Sequence, residues 1–210
     1  MWTIPSRGRP GQLARLIATC EATGMTTPAL VRVDDDDPRL PEYRALAFPR
    51  GWVAIEGPRW PLGEIYNWAF QGRPDAGWYG FLADDVVPET PGWDRELCRT
   101  AGRDGMAVPA SGAPTGPCPH FVLGGDLVRS VGWLALPGLD RLWIDTVWKR
   151  IAEARDVYRE RPDIMLRHHH FSNGLALRDS TYRKPRAAED RIVFDKWRKT
   201  ANLWNVPGDK

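Results

Sequence analysis

Short apolar runs that stop at polar clusters alternate along this chain with segments whose apolar residues recur at helical spacing. Trp2-Thr3-Ile4 predicts a strand running into the turn-rich loop Pro5 to Gly11, after which Leu13, Leu16, Ile17 and Cys20 mark one face of a helix. Ala29 to Val33 predicts a second strand, cut off by Asp34-Asp35-Asp36-Asp37-Pro38. An irregular stretch follows, then a short helix over Leu62 to Phe70 that carries Asn67. Trp78 to Leu82 has the continuous apolar character of a buried strand and stops at Asp84-Asp85. Beyond it come a helix over Trp93 to Ala101, a strand over Gly105 to Pro109 and a loop from Ser111 to Pro119. The strongest helical pattern runs from about Asp145 to Val157, with Ile144, Val147, Trp148, Ile151 and Ala154 on one face.

Strands alternating with helices predict an α/β fold, its mostly parallel sheet covered on both faces. In such sheets ligands bind beyond the carboxyl ends of the strands, and both acidic clusters, Asp34 to Asp37 and Asp84-Asp85, sit at such ends. A length of 210 residues suits one domain. The 42% hydrophobic and 27% charged residues exclude a disordered or fibrous chain, and a net charge of +2 points to no polyanionic partner by itself. Cys20, Cys98 and Cys118 lack the paired spacing of a zinc site and are expected as free thiols. No leader-like start and no apolar run of the ~20 residues that span a membrane is seen, so a soluble, cytoplasmic protein is expected. The tryptophans suit core packing, although their flat faces also suit a sugar or a base.

The candidate chemistry lies in a set of residues. Asp84 and Asp85 emerge from a buried strand into the expected crevice, and carboxylate oxygens are the ligands that Mg²⁺ or Mn²⁺ prefers while keeping positions open for phosphate. Asp34, Asp35 and Asp36 either accept hydrogen bonds from a base or ribose or form a solvated charge run. Pro5, Ser6, Arg7 and Arg9 offer a loop of backbone amides and guanidiniums to a phosphate or base. His168-His169-His170 follows the apolar Ile164-Met165-Leu166, and strand alternation puts His168 and His170 on one side, His170 being the favoured metal ligand. Asp145 opens a helix, where an acid serves either as a first-turn residue favoured by the helix dipole or as a general base. Gly124-Gly125-Asp126 either forms a turn or lets a sugar approach the backbone closely.

In their order along the chain, Pro5 to Pro10, Val31 to Pro38, Trp78 to Asp85, Gly124 to Leu127, Ile144 to Trp148 and His168 to His170 resemble the motifs of bacteriophage GT-A glycosyltransferases, a group linked to the decoration of hydroxymethylated pyrimidines in viral DNA. The resemblance spans nearly the whole chain. It implies a single-domain, Rossmann-like GT-A fold over residues 1–182, with a basic helical extension, 183–210, packed on it. It also implies transfer of a sugar from a nucleotide-sugar donor, by default a UDP-sugar, onto a hydroxyl of 5-hydroxymethylpyrimidine DNA. Pro5, Ser6, Arg7, Arg9, Asp34, Asp35, Asp36, Asn67, Asp84, Gly124 and Gly125 would hold the donor. Asp85, with His170 or His168, would hold Mn²⁺ or Mg²⁺, and Asp145 would be the acceptor base of an inverting enzyme. The chain departs from the family pattern at Ala83, where many GT-A enzymes carry the first carboxylate of an Asp-x-Asp motif, and at Arg167, where relatives carry an acid.

Other classes use similar parts. A sugar nucleotidyltransferase shares the sheet and the metal but needs a Gly-rich loop with a following Arg and Lys, which Pro5 to Pro10 does not supply. A metal-dependent nuclease or phosphohydrolase would use Asp84, Asp85 and the histidines around two metals. A nucleic-acid-binding module would rest on Arg183-Lys184-Pro185-Arg186, Arg191, Lys196, Trp197, Arg198 and Lys199, tracking phosphates while an aromatic stacks.

Overall fold

The computed structural model describes residues 1–112, 118–176 and 186–201. Among these, β1 (Trp2–Ser6), β2 (Ala29–Asp34), β3 (Trp52–Gly57), β4 (Trp78–Phe81), β5 (Val86–Pro88), β6 (Met106–Ala110), β7 (Val122–Gly124) and β8 (Tyr158–His168) form one sheet in the order β3-β2-β1-β4-β7-β6-β8-β5. The helices are α1 (Pro10–Ala22), α2 (Leu40–Arg44), α3 (Leu62–Gly72), α4 (Trp93–Ala101), α5 (Gly125–Val131), α6 (Ile144–Ala154) and α7 (Ala187–Thr200). β1 to β4 run parallel, and β8 runs parallel to β6. β7 is antiparallel to both β4 and β6, and β5 closes the far edge antiparallel to β8. The expected mostly parallel sheet is therefore present, together with α2 and β3 where the sequence predicts only an irregular stretch.

Strand alternation sorts the interior into two cores, one on each face of the sheet. Ala107 and Val122 join Trp2, Ile4 and Val31 beneath α1 and α4, whereas Met106, Val108, Phe121 and Leu123 join Tyr79 and Phe81 beneath α3, α5, α6 and α7. The buried Trp2 ring lies 4.8 Å from that of Trp93, and Gly80 makes room for it, since a Cβ at position 80 would stand 2.3 Å from the indole. Trp52, Trp93 and Trp148 are core residues as well. The three cysteines are free thiols.

Register places the candidate residues. Ser6 lies opposite Val33 and Asp34 opposite Gly57, so the carboxyl ends of β1, β2 and β3 make one rim. β4 aligns Phe81 with Thr3, and the Leu82 amide donates to the Thr3 carbonyl, which delivers Asp84-Asp85 beside Ser6. β8 slips its register against β6 after Pro109 and ends paired with β5, His168 opposite Val86. The expected domain boundary at 182/183, the basic run Arg183-Lys184-Pro185, and residues 113–117 of the Ser111 to Pro119 loop lie outside the described residues.

Candidate active site

The loop after β1 reaches across to the end of β4 and holds its carboxylates. Ser6 Oγ donates to Asp84 Oδ2 at 2.6 Å and shares a 2.8 Å hydrogen bond with the Tyr43 hydroxyl, which also accepts from the Arg9 amide at 2.8 Å. Arg9 Nη1 bridges the pair, 3.1 Å from Asp85 Oδ2 and 3.5 Å from Asp84 Oδ1. Ser6, Arg9, Asp84 and Asp85 are all buried. Two adjacent carboxylates out of water with one guanidinium between them cannot both ionise cheaply. Burial and then the charge of Asp85 push the Asp84 carboxyl up to about 7. Burial also opposes ionisation of Asp85, but the hydrogen bond from His168 and the charges of the histidines and Arg9 outweigh it, holding Asp85 down at about 2.

β8 supplies the other side. His168 Nε2 lies 3.2 Å from Asp85 Oδ1, and the His169 amide donates to the Asp85 carbonyl at 2.8 Å. The His170 ring packs 5.1 Å from that of His168. His120 completes the cluster. It is buried just before β7, its ring is edge-on to His168 at 4.7 Å, and neither ring nitrogen has a hydrogen-bond partner among the described residues. Burial, then His168, hold His120 well below its ordinary pKa, against the pull of Asp85. The only sequence signal for it is a lone polar residue between Pro119 and the apolar Phe121-Val122-Leu123.

The second acidic cluster is tied down by Arg7. Its Nη1 donates to Asp34 at 2.8 Å and also to Asp36, while Nη2 reaches Asp36 at 3.3 Å. Burial raises the Asp34 pKa against Arg7, whereas the Arg7 hydrogen bond lowers that of Asp36. Asp35 is exposed, its amide donating to Gly57. Pro5 is half-buried within β1, opposite Arg32. Asp37 accepts from the Gly8 amide at 2.6 Å, fixing a turn in which Gly8 has φ of +69°.

Asp145 stands half-buried in the first turn of α6, and its Oδ1 accepts from the Thr146 amide at 2.7 Å. The Cys118 thiol, whose Sγ donates to the His120 carbonyl, is pushed up to about 11, by burial first, with the Asp145 charge the least of the named contributions.

Two residues expected at the donor, Gly124 and Gly125, stand elsewhere. Gly124 pairs with Trp78, at the end of β4 opposite Asp84. A Cβ there would meet the Arg103 backbone at 2.2 Å, and one at Gly125 the Ala76 carbonyl at 2.1 Å, so both glycines serve close packing of backbone. The Asn67 amide is spent on the chain: it accepts from the Leu134 and Ala135 amides and donates to the Ala135 carbonyl, each at 2.9 Å.

The donor set of Asp84, Asp85 and His168 suits a hard divalent cation. Among the described residues no three His, Cys, Asp or Glu side chains form a ready-made metal cage. An ion such as Mg²⁺ is usually held by one or two carboxylates together with substrate phosphates. No helix among the described residues is long and apolar enough to cross a membrane.

No family model matches the chain, and no curated protein matches it. Solved structures do. The mannosyltransferase PcManGT from Pyrobaculum calidifontis, in complex with GDP-Man and Mn²⁺, is 11% identical with a TM-score of 0.58, over 80% of this chain and 55% of that one. S. aureus TarS 1-349 is 9% identical with a TM-score of 0.58, over 79% of this chain and 58% of that one. The chain thus spans less than two thirds of either. A nucleotidyl transferase from Methanothermobacter is 12% identical with a TM-score of 0.51, over 83% of this chain and 93% of that one. Sheet order, two-sided helical cover and these likenesses together give the chain the Rossmann-like GT-A fold.

Proposed function

We propose that the chain is a metal-dependent glycosyltransferase that takes a sugar from a nucleotide-sugar, by default a UDP-sugar, to an acceptor hydroxyl. The observation that carries this reading is the buried Asp84-Asp85 pair at the end of β4, braced by Ser6 and Arg9 and flanked by His168. In a parallel sheet that edge is where a ligand binds. Asp85, with Asp84 and His168, would hold Mn²⁺ or Mg²⁺, which when bound supplies positive charge to the departing diphosphate. Arg7 and Arg9 lie at the rim, with Arg7 set between Asp34 and Asp36 to orient the nucleoside. Asp145 would take the proton of the acceptor hydroxyl as its oxygen bonds to the anomeric carbon. The bond from that carbon to phosphate breaks, and its electron pair leaves on the nucleoside diphosphate. Attack from the face opposite the leaving group makes the enzyme inverting. The motif resemblance supplies the proposed acceptor, 5-hydroxymethylpyrimidine in DNA.

Thermal-shift titration with UDP, GDP, CDP and dTDP, with and without Mn²⁺, tests the donor site. A Mn²⁺-dependent rise in Tm with one nucleoside diphosphate, lost in Asp85→Ala, is expected. A folded chain that responds to none of them refutes the reading, and a response to nucleoside triphosphates instead turns it toward nucleotidyl transfer.

A further inference from the structure

The loop that leads into Asp145 is held from outside, by α7. Asp190, 1% exposed in the first turn of that helix, accepts from three consecutive backbone amides, those of Asp140 at 2.6 Å, Arg141 at 3.0 Å and Leu142 at 2.8 Å. One turn further along the same face, Phe194 stacks on Trp143, with ring centroids 4.7 Å apart and planes 13° apart, while the Arg191 guanidinium lies 5.2 Å from the Trp143 ring. A Cβ at Gly138 would meet Val193 at 3.5 Å. Trp143 is the residue immediately before α6, and it holds φ at +71°, a left-handed conformation that a bulky L-residue adopts only when its surroundings impose it. Its carbonyl accepts the first helical hydrogen bond, from Val147. Asp145 is two residues on.

We infer that Asp190 is a positioning residue: α7 clamps residues 140–142 and the left-handed Trp143, and by fixing the start of α6 it sets where the Asp145 carboxylate stands. The inference rests on the reading of Asp145 as acceptor base. A helix that merely packs would need its apolar face alone, whereas a carboxylate spent on three adjacent amides specifies the path of the loop. In Asp190→Asn the carboxamide retains one acceptor oxygen and turns an NH₂ toward the amides, so the clamp fails without a cavity being made.

Hydrogen exchange of the full chain tests this. In Asp190→Asn the amides of 140–142 and also those of 145–147 are expected to exchange about tenfold faster, while Mn²⁺ with UDP still raises Tm as in the native chain. Turnover of UDP-glucose on a duplex carrying 5-hydroxymethylcytosine should drop toward that of Asp145→Asn, and the double variant should be no slower than Asp145→Asn. Faster exchange at 140–142 with 145–147 unchanged overturns the inference, as does native turnover in Asp190→Asn. Native turnover in Asp145→Asn strikes the base assignment alone, and exchange at 145–147 then still decides whether α7 sets the start of α6. Phe194→Leu, which keeps the carboxylate clamp and loses only the stacked ring, should move exchange less than Asp190→Asn; an equal or larger effect assigns the ordering to packing and overturns the role given to Asp190.

Discussion

Asp84 and Asp85 are neighbours in sequence with opposite affinities for the proton. Asp84 holds its proton more tightly in the folded state, between its ordinary value of 3.8 and about 7. Its contribution to stability is therefore full below 3.8 and is lost as pH rises to about 7. Asp85 acts in the other sense, contributing above 3.8 and losing that contribution as pH falls toward about 2. Metal-free native chain should thus lose Tm between about pH 4 and 8 relative to Asp84→Asn, in which the slope disappears; parallel Tm profiles for the two proteins would contradict it. At this scale the sequence was a partial guide. Ser6, Arg9, Asp84, Asp85 and His168 are legible because each lies at the end of an apolar run or in the first turn-rich loop. Tyr43 and His120 are not, because what recruits them is a hydroxyl bridging Ser6 to Arg9 and a ring placed edge-on to His168, and neither contact has a signature along the chain.

At the scale of elements, the legible segments are those buried on both sides. β2 is buried throughout and its apolar run is unmistakable. β3 is an edge strand in which Trp52 alone is buried and Val53, Ala54 and Glu56 are exposed, so Trp52-Val53-Ala54-Ile55-Glu56 reads as irregular. β8 carries Arg159, Glu160 and Arg161 directly after its first residue, and only Ile164 and Leu166 are fully inside, which hides most of an eleven-residue strand. Helix α6 shows the converse: its apolar face is continuous and is found within a residue or two of its N-terminus. The junction of β1 with β4 depends on a missing side chain. Gly80→Ala would drive a methyl group into the Trp2 indole and should cost about 1–3 kcal/mol of stability, measured by urea unfolding.

For the whole molecule, the two cores share strands. Residues 106 to 108 alternate between them, as do 121 to 123, so neither core can be dismantled without breaking the sheet of the other. Urea unfolding followed by tryptophan fluorescence and by far-UV circular dichroism should therefore give one coincident transition. Separate midpoints would mean that the β1 to β3 half opens independently. The basic face of α7 also looks different in three dimensions than in sequence. Arg191 and Arg198 are both paired with Asp195 on the helix surface, and Arg191 also lies against Trp143, so part of the charge that suggested a nucleic-acid contact is balanced by the chain itself.

The pairing of β5 with β8 carries a consequence for synthesis. Asp85 leaves the ribosome well before His168, and at roughly 5–20 residues per second the interval lasts several seconds. Throughout it the carboxylate pair lacks its imidazole neighbour, and β6 presents an open edge where β8 will lie. A nascent chain stalled before Tyr158 would be a sheet with an unpaired strand, exposed to pairing with its neighbours on the same message.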